Sequence, residues 1–168
     1  EEVLQLGLHP PPESMLRNGG HVLLCVVGDT EVNSIAIGSQ KQAGSVIGLN
    51  CFMKSLRDKR LELNQGSNPP VIVLSEVMPG DWNTVIDVEK VYYVRGSPLI
   101  LADLHRVSFL NARSIVVVRQ HNGTIGGIKK IVDARVILAA ALITNAIPAE
   151  KEIPVVTDHA FAGSCELL

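Results

Sequence analysis

Aromatic side chains are scarce in this chain. Three Phe, two Tyr and one Trp make up 4% of 168 residues. Hydrophobic residues still reach 46%, so a sizeable core is available, and it must be built from Val, Ile, Leu and Ala. That composition argues against a disordered chain and suits strands buried on both faces. Charge of one sign is also missing. The formal net charge is −2 and no Lys/Arg cluster stands out, which removes the electrostatic footprint of a nucleic-acid binder. The longest apolar stretch, "VILAAALI" at 136–143, is far below the roughly 20 residues of a membrane span. The three cysteines, Cys25, Cys51 and Cys165, form no CxxC or Cys/His pattern. Their odd number fits a reducing compartment, and Cys25 and Cys51 read as small buried hydrophobes. No GxSxG or HExxH occurs, and His9, His21, His105, His121 and His159 are scattered, His105 as a surface or boundary residue.

What is present alternates regularly. Residues 1–20 hold "HPPPES" and "RNGG" and read as an irregular arm. Apolar runs at His21–Val27, 71–75, 91–94, 114–118 and 153–158 predict five strands. Residues 29–43 read as a loop. Leu49, Phe52, Met53 and Leu56 recur at i, i+3, i+4 and i+7 and predict one face of an amphipathic helix. Asp81 is an expected N-cap, with Trp82, Val85 and Ile86 turned inward. Ser97 and Pro98 suit the N-cap and first position of another helix, which would carry a Leu101, Leu104, Leu110 stripe.

A helix over about 127–146 is apolar around most of its circumference. Ile128, Val132, Val136, Ala139 and Ile143 share one face, and Ile131, Ala134, Leu138 and Leu142 another. One face can cover the chain's own sheet, and the second calls for a neighbour. The β-α-β alternation implies parallel strands with right-handed crossovers. The expected fold class is therefore α/β, a Rossmann-like, doubly wound, mainly parallel sheet with helices on both faces.

A dinucleotide site in such a fold needs a glycine-rich turn after the first strand. Here Gly28 is followed by Asp29, Thr30, Glu31, Val32 and Asn33. The glycines are missing, and two carboxylates stand where a diphosphate would sit. The phosphate loop at Gly28 and Asp29 reads as degenerate, with no cofactor expected. Glu76, after the second strand, occupies the place of an acid that could hold a ribose. Asp29 with Glu31 and Asp158 with His159 are small acidic groups that lack the spacing of a calcium loop. No catalytic or metal set emerges, so an enzyme is not expected.

The motifs "GHVLLCVVGD" at 20–29, "GLNCFMKSLR" at 48–57, "GSPLILADLHRVSFLNA" at 96–112 and "IPVVTD" at 153–158 occur in order. Together they resemble the RCK domain (regulator of K+ conductance) of Slo-family, calcium-activated, BK-like potassium channels, most closely the second of its two tandem domains. The resemblance implies a cytosolic regulatory domain of a membrane-embedded channel. Its partners would be other RCK domains in a homotetrameric gating ring and the potassium pore of the parent chain. It divides the chain into a linker at 1–19 and an N-terminal Rossmann-like RCK subdomain at 20–168. Residues 30–44 look like an insertion. The opening without Met fits a piece of a longer chain. The acidic calcium loop and the C-terminal assembly half of the domain would lie beyond Leu168, so calcium would bind the parent channel outside these residues. Ile128, Ile131, Val132 and Arg135 are the expected interface positions. Two other readings stand beside this one: an NAD(P)- or nucleotide-binding oxidoreductase domain with a degenerate loop, and a nucleotide-sensing RCK protein.

Overall fold

Val22–Val27 is buried at all six positions, and Val71–Ser75 at all five. An unbroken buried strand must be covered on both faces and paired on both edges, the situation at the centre of a parallel sheet. The computed structural model describes residues 10–28, 47–62, 68–85, 88–119 and 134–158. The described elements are, in chain order, α1 (Glu13–Asn18), β1 (Val22–Val27), α2 (Leu49–Glu62), β2 (Val71–Ser75), a 3₁₀ turn at Trp82–Thr84, β3 (Val91–Arg95), α3 (Leu101–Arg106), a second 3₁₀ turn at Phe109–Asn111, β4 (Ser114–Arg119), α4 (Ala134–Ala146) and β5 (Val155–Thr157). The strands form one five-stranded sheet in the order β3-β2-β1-β4-β5, and every pair is parallel. This is the doubly wound, Rossmann-like α/β arrangement. The direction of winding reverses between β1 and β4, where such sheets open a crevice at their carboxyl edge.

Strand alternation splits the core into two layers. Leu23, Cys25, Ile72, Leu74, Ile115 and Val117 face the side covered by α3, Phe109 and α4. Val22, Leu24, Val26, Val71 and Val73 face α2 and the Trp82 turn. Leu49 and Met53 of α2 are buried there as the helical spacing requires, with Phe52 and Leu56 packed beside them. Trp82 and Val85 turn inward too, and Trp82 meets Tyr93 edge-on with ring centroids 5.6 Å apart. Ile86 lies outside the described residues.

Several expectations need correction. The arm is not irregular throughout, because Glu13–Asn18 forms a short helix after the prolines. Met15 and Leu16 pack onto the core, and Asn111 ties the helix down: its Nδ2 donates to the Leu16 carbonyl at 3.2 Å, and its carbonyl accepts from Gly20 N at 3.0 Å. Gly19 has φ +71°, and a Cβ there would lie 2.5 Å from the Asn111 carbonyl oxygen, so both conformation and space demand glycine. The helix expected from Ser97 starts later, with Ile100 as its N-cap. Leu101 is exposed, and the core takes Val107 and Phe109 instead, because α3 ends at Arg106 and the following turn rotates the chain. Cys51 is exposed. It lies two residues, about 200°, from Leu49 and so points away from the buried stripe. Cys25 is buried as expected, and burial pushes its thiol pKa well up, which keeps it an unreactive thiol.

His21 precedes β1 and is completely buried, with neither ring nitrogen hydrogen-bonded. Burial pushes its pKa below the ordinary 6.5, while the adjacent Val107 backbone pulls the other way without reaching hydrogen-bond geometry. The unfolded chain therefore binds a proton near pH 6.5 that the folded chain refuses. Stability from this group is complete above that pH and declines as pH falls toward the folded value, with a slope of at most about 1.4 kcal/mol per pH unit. Denaturant titrations at pH 7.5 and 5.5 should show His21→Leu losing less stability on acidification than the parent. An equal loss in both proteins would assign the acid sensitivity to other groups.

Candidate functional site

At the carboxyl ends of β1 and β2, next to the β1–β4 switch point, the chain brings several of its own polar side chains together. β1 runs out at Gly28, and α4 carries Arg135 over it. Arg135 Nη1 donates to the Gly28 carbonyl at 2.6 Å, and Nη2 lies 3.3 Å from Glu76 Oε1, just past the end of β2. Ser97, on the connection after β3, donates its hydroxyl to the same Glu76 oxygen at 2.6 Å. The Ser97 amide donates to Asp103 Oδ2 at 2.8 Å. Asp103 is paired in turn with Arg106 at 3.4 Å, and Arg106 bonds back to the Arg95 carbonyl at the end of β3. One polar chain thus links the carboxyl ends of β1, β2 and β3 to α3 and α4.

Two described groups beside the place of a dinucleotide are engaged. Glu76, in the position of a ribose-binding acid, already accepts two bonds on one oxygen. The Gly28 carbonyl holds a guanidinium. Arg135 and Glu76 side chains are 25% and 37% exposed, so the pair sits at the boundary between solvent and interior. Asp29 and Glu31 lie outside the described residues, as do His9, His121 and His159. Asp158 is exposed and donates its amide to the Val117 carbonyl. His105 is exposed on α3, its ring edge-on to Phe109 at 5.2 Å. Among the described residues, no three His, Cys, Asp or Glu side chains converge in a way that could hold a metal ion.

Of the four expected interface positions, Arg135 is the one described, in the clasp just given; Ile128, Ile131 and Val132 lie outside the described residues. In the described part of the helix expected at 127–146, Val136, Ala139, Ala140 and Ile143 are buried against the sheet and the half-buried Leu142 packs onto the same core, while Leu138 is 60% exposed. Ser97, Asp103 and Arg106 escaped sequence reasoning as site residues. Their faint signal is a Gly-Ser step closing a strand and an Asp-Arg pair at i, i+3.

A parallel, doubly wound sheet defines a Rossmann-like domain, and past the carboxyl ends of its β1 and β2 the described side chains bond one another. The family model described as "Calcium-activated potassium channel slowpoke-like RCK domain" matches residues 17–157, and the chain belongs to that family. It is accordingly an RCK-type regulatory domain of a calcium-activated potassium channel. No curated protein matches the chain. Among the described residues, no helix is long and apolar enough to cross a membrane.

Proposed function

We propose that this domain is a non-enzymatic, cytosolic element of a gating ring, which converts ligand binding elsewhere in the ring into opening of a potassium pore. The observation that carries the reading is Leu138, 60% exposed on an α4 whose Val136, Ala139 and Ile143 already cover the sheet. A helix that has already covered its own sheet and still presents leucine to solvent suits a neighbouring domain. The neighbours would be other RCK domains of a homotetramer, and the contact would include Ile128, Ile131, Val132 and Arg135. Residues 1–19 would serve as the linker and 20–168 as the Rossmann-like subdomain, with calcium bound elsewhere in the parent channel. Ligand binding moves such a ring only if it favours one arrangement of the domains over another. Rigid-body displacement through helix faces is then the means of transmission.

Charge placed in that contact should be disruptive. Ile131→Asp or Leu138→Asp in the full-length channel is expected to weaken subunit association and to alter open probability at graded calcium. Unchanged association together with unchanged gating would overturn the contact. Thermal unfolding with NAD(H), NADP(H), AMP or ATP tests the nucleotide readings, and the absence of a shift at millimolar ligand is the outcome expected here.

A further inference from the structure

The Arg135 clasp joins parts of the molecule that the sheet alone connects only through β1 and β4. Gly28 and Glu76 directly follow β1 and β2, in the half wound as β1-β2-β3. Arg135 belongs to α4, which leads from β4 to β5 in the other half. The β1–β4 pairing runs from Val22–Ser114 to Val27–Arg119, and the Arg135 bonds stand above its carboxyl end. We propose that Arg135 is a releasable strap: it holds α4 onto the carboxyl ends of β1 and β2 in one gating state of the channel and lets go in the other. The inference rests on the gating-ring reading above and adds to it a specific moving contact inside the domain.

Three features favour a strap over a permanent brace. First, Arg135 reaches past the ends of two different strands, with one bond to a main-chain carbonyl and one to a carboxylate, so a displacement of α4 breaks both together. Second, Glu76 keeps a donor when Arg135 leaves, because Ser97 Oγ is bonded to the same oxygen and is held by its own backbone bond to Asp103. The acid is left neither bare nor free to swing. Third, both partners are partly exposed, so water replaces what the separation removes. A fully buried pair would lock the helix, since an orphaned interior charge is very unfavourable. An isolated surface pair would hold almost nothing. The intermediate burial seen here suits a contact made and broken during function.

The test is a double-mutant cycle in the full-length channel. Glu76→Gln, Arg135→Gln, the double variant and the exchanged pair Glu76→Arg/Arg135→Glu are compared by open probability in excised patches at graded cytosolic calcium, including none. Each single substitution is expected to shift the half-activating calcium concentration about fivefold, at the low end of ordinary coupling between sites. The double variant should shift it no further, and the exchanged pair should recover part of the shift. Additive single effects, or no effect of either, overturn the strap. Melting temperatures of the same proteins guard against misfolding as the cause. A coupling found in melting and absent from gating also overturns it, because the pair would then be only a brace. Ile131→Asp serves as the reference: if it alters gating while the cycle is additive, the strap fails and the gating role stands; if neither alters gating, both fall.

Discussion

Phe109→Ala should be the most destabilising single truncation in the domain, costing about 3–5 kcal/mol. Among the described residues Phe109 is the largest completely buried side chain, set in the short 3₁₀ turn between α3 and β4. It belongs to the layer of Leu23, Leu104 and Ile115, and its ring edge meets His105. Removing the ring leaves a void that a parallel sheet, fixed on both sides, closes poorly. The consequence spreads beyond the core, because the same turn supplies Asn111, which holds Gly20 and the Leu16 carbonyl. Lys151 Nζ also donates to the Leu110 carbonyl at 2.9 Å. Denaturant unfolding should therefore show the full loss, and amide exchange should show α1 released in the variant. Phe109→Leu should cost appreciably less, as most of the volume remains. A loss below about 1 kcal/mol for the alanine variant would mean that the turn repacks freely, and this account of the core would be wrong.

Asp81→Ala is expected to cost about 2–4 kcal/mol and to loosen α2. Asp81 was expected to cap the residues that follow it, and it does begin the Trp82–Thr84 turn, but its carboxylate works elsewhere. Oδ2 accepts the Leu49 amide at 2.7 Å and Oδ1 the Ile47 amide at 3.2 Å, more than thirty residues back in sequence. These are amides at the start of α2, and the first turn of that helix contains no acidic residue of its own. A charged acceptor on backbone donors is worth about 1.5–3 kcal/mol per bond, and the helix dipole adds to it. Asp81 is only 9% exposed, so water substitutes badly when the carboxylate is removed. Asp81→Asn keeps one acceptor without the charge and should lose roughly half as much. The check is hydrogen exchange: amides of α2 should lose protection in the alanine variant while β4 and β5 keep theirs. Equal protection of α2 in parent and variant would remove Asp81 from its role as a remote cap.

The two predictions also mark what the sequence makes legible. β1 and β2 are readable because burial on both faces leaves an almost continuous apolar run, and all five apolar runs coincide with the five strands to within a residue or two at their ends. The amphipathic stripe of α2 was equally plain. Long-range polar pairing was not. Asp81 and Leu49, or Arg135 and Glu76, are 32 and 59 residues apart, and nothing in local spacing announces such partners. Ser97 has the look of a cap because serine before proline often is one; in the fold its hydroxyl donates to Glu76 and accepts the Leu99 amide at 3.4 Å, and Ile100 takes the N-cap position. The short helix α1 was hidden for a similar reason. Its six residues are too few to be stable by propensity, and they are held by the distant Asn111. Within the site, the missing phosphate glycines are visible in "GDTEVN", whereas the bonds of Arg135, Glu76 and Ser97 are not.

The position of β1 at the centre of the sheet has a consequence for how the domain comes into being. Val22 pairs with Val71 on one side and with Ser114 on the other. β1 emerges from the ribosome before every other strand, yet its second edge stays open until β4 has been made, after two helical connections and two further strands. A half-sheet of β3, β2 and β1 must wait with a wholly apolar strand unpaired along one side. Such non-local pairing slows folding, and an open edge of this kind invites association with other nascent chains. The interval between synthesis of β1 and arrival of β4 is when one nascent copy is most prone to pair wrongly with another.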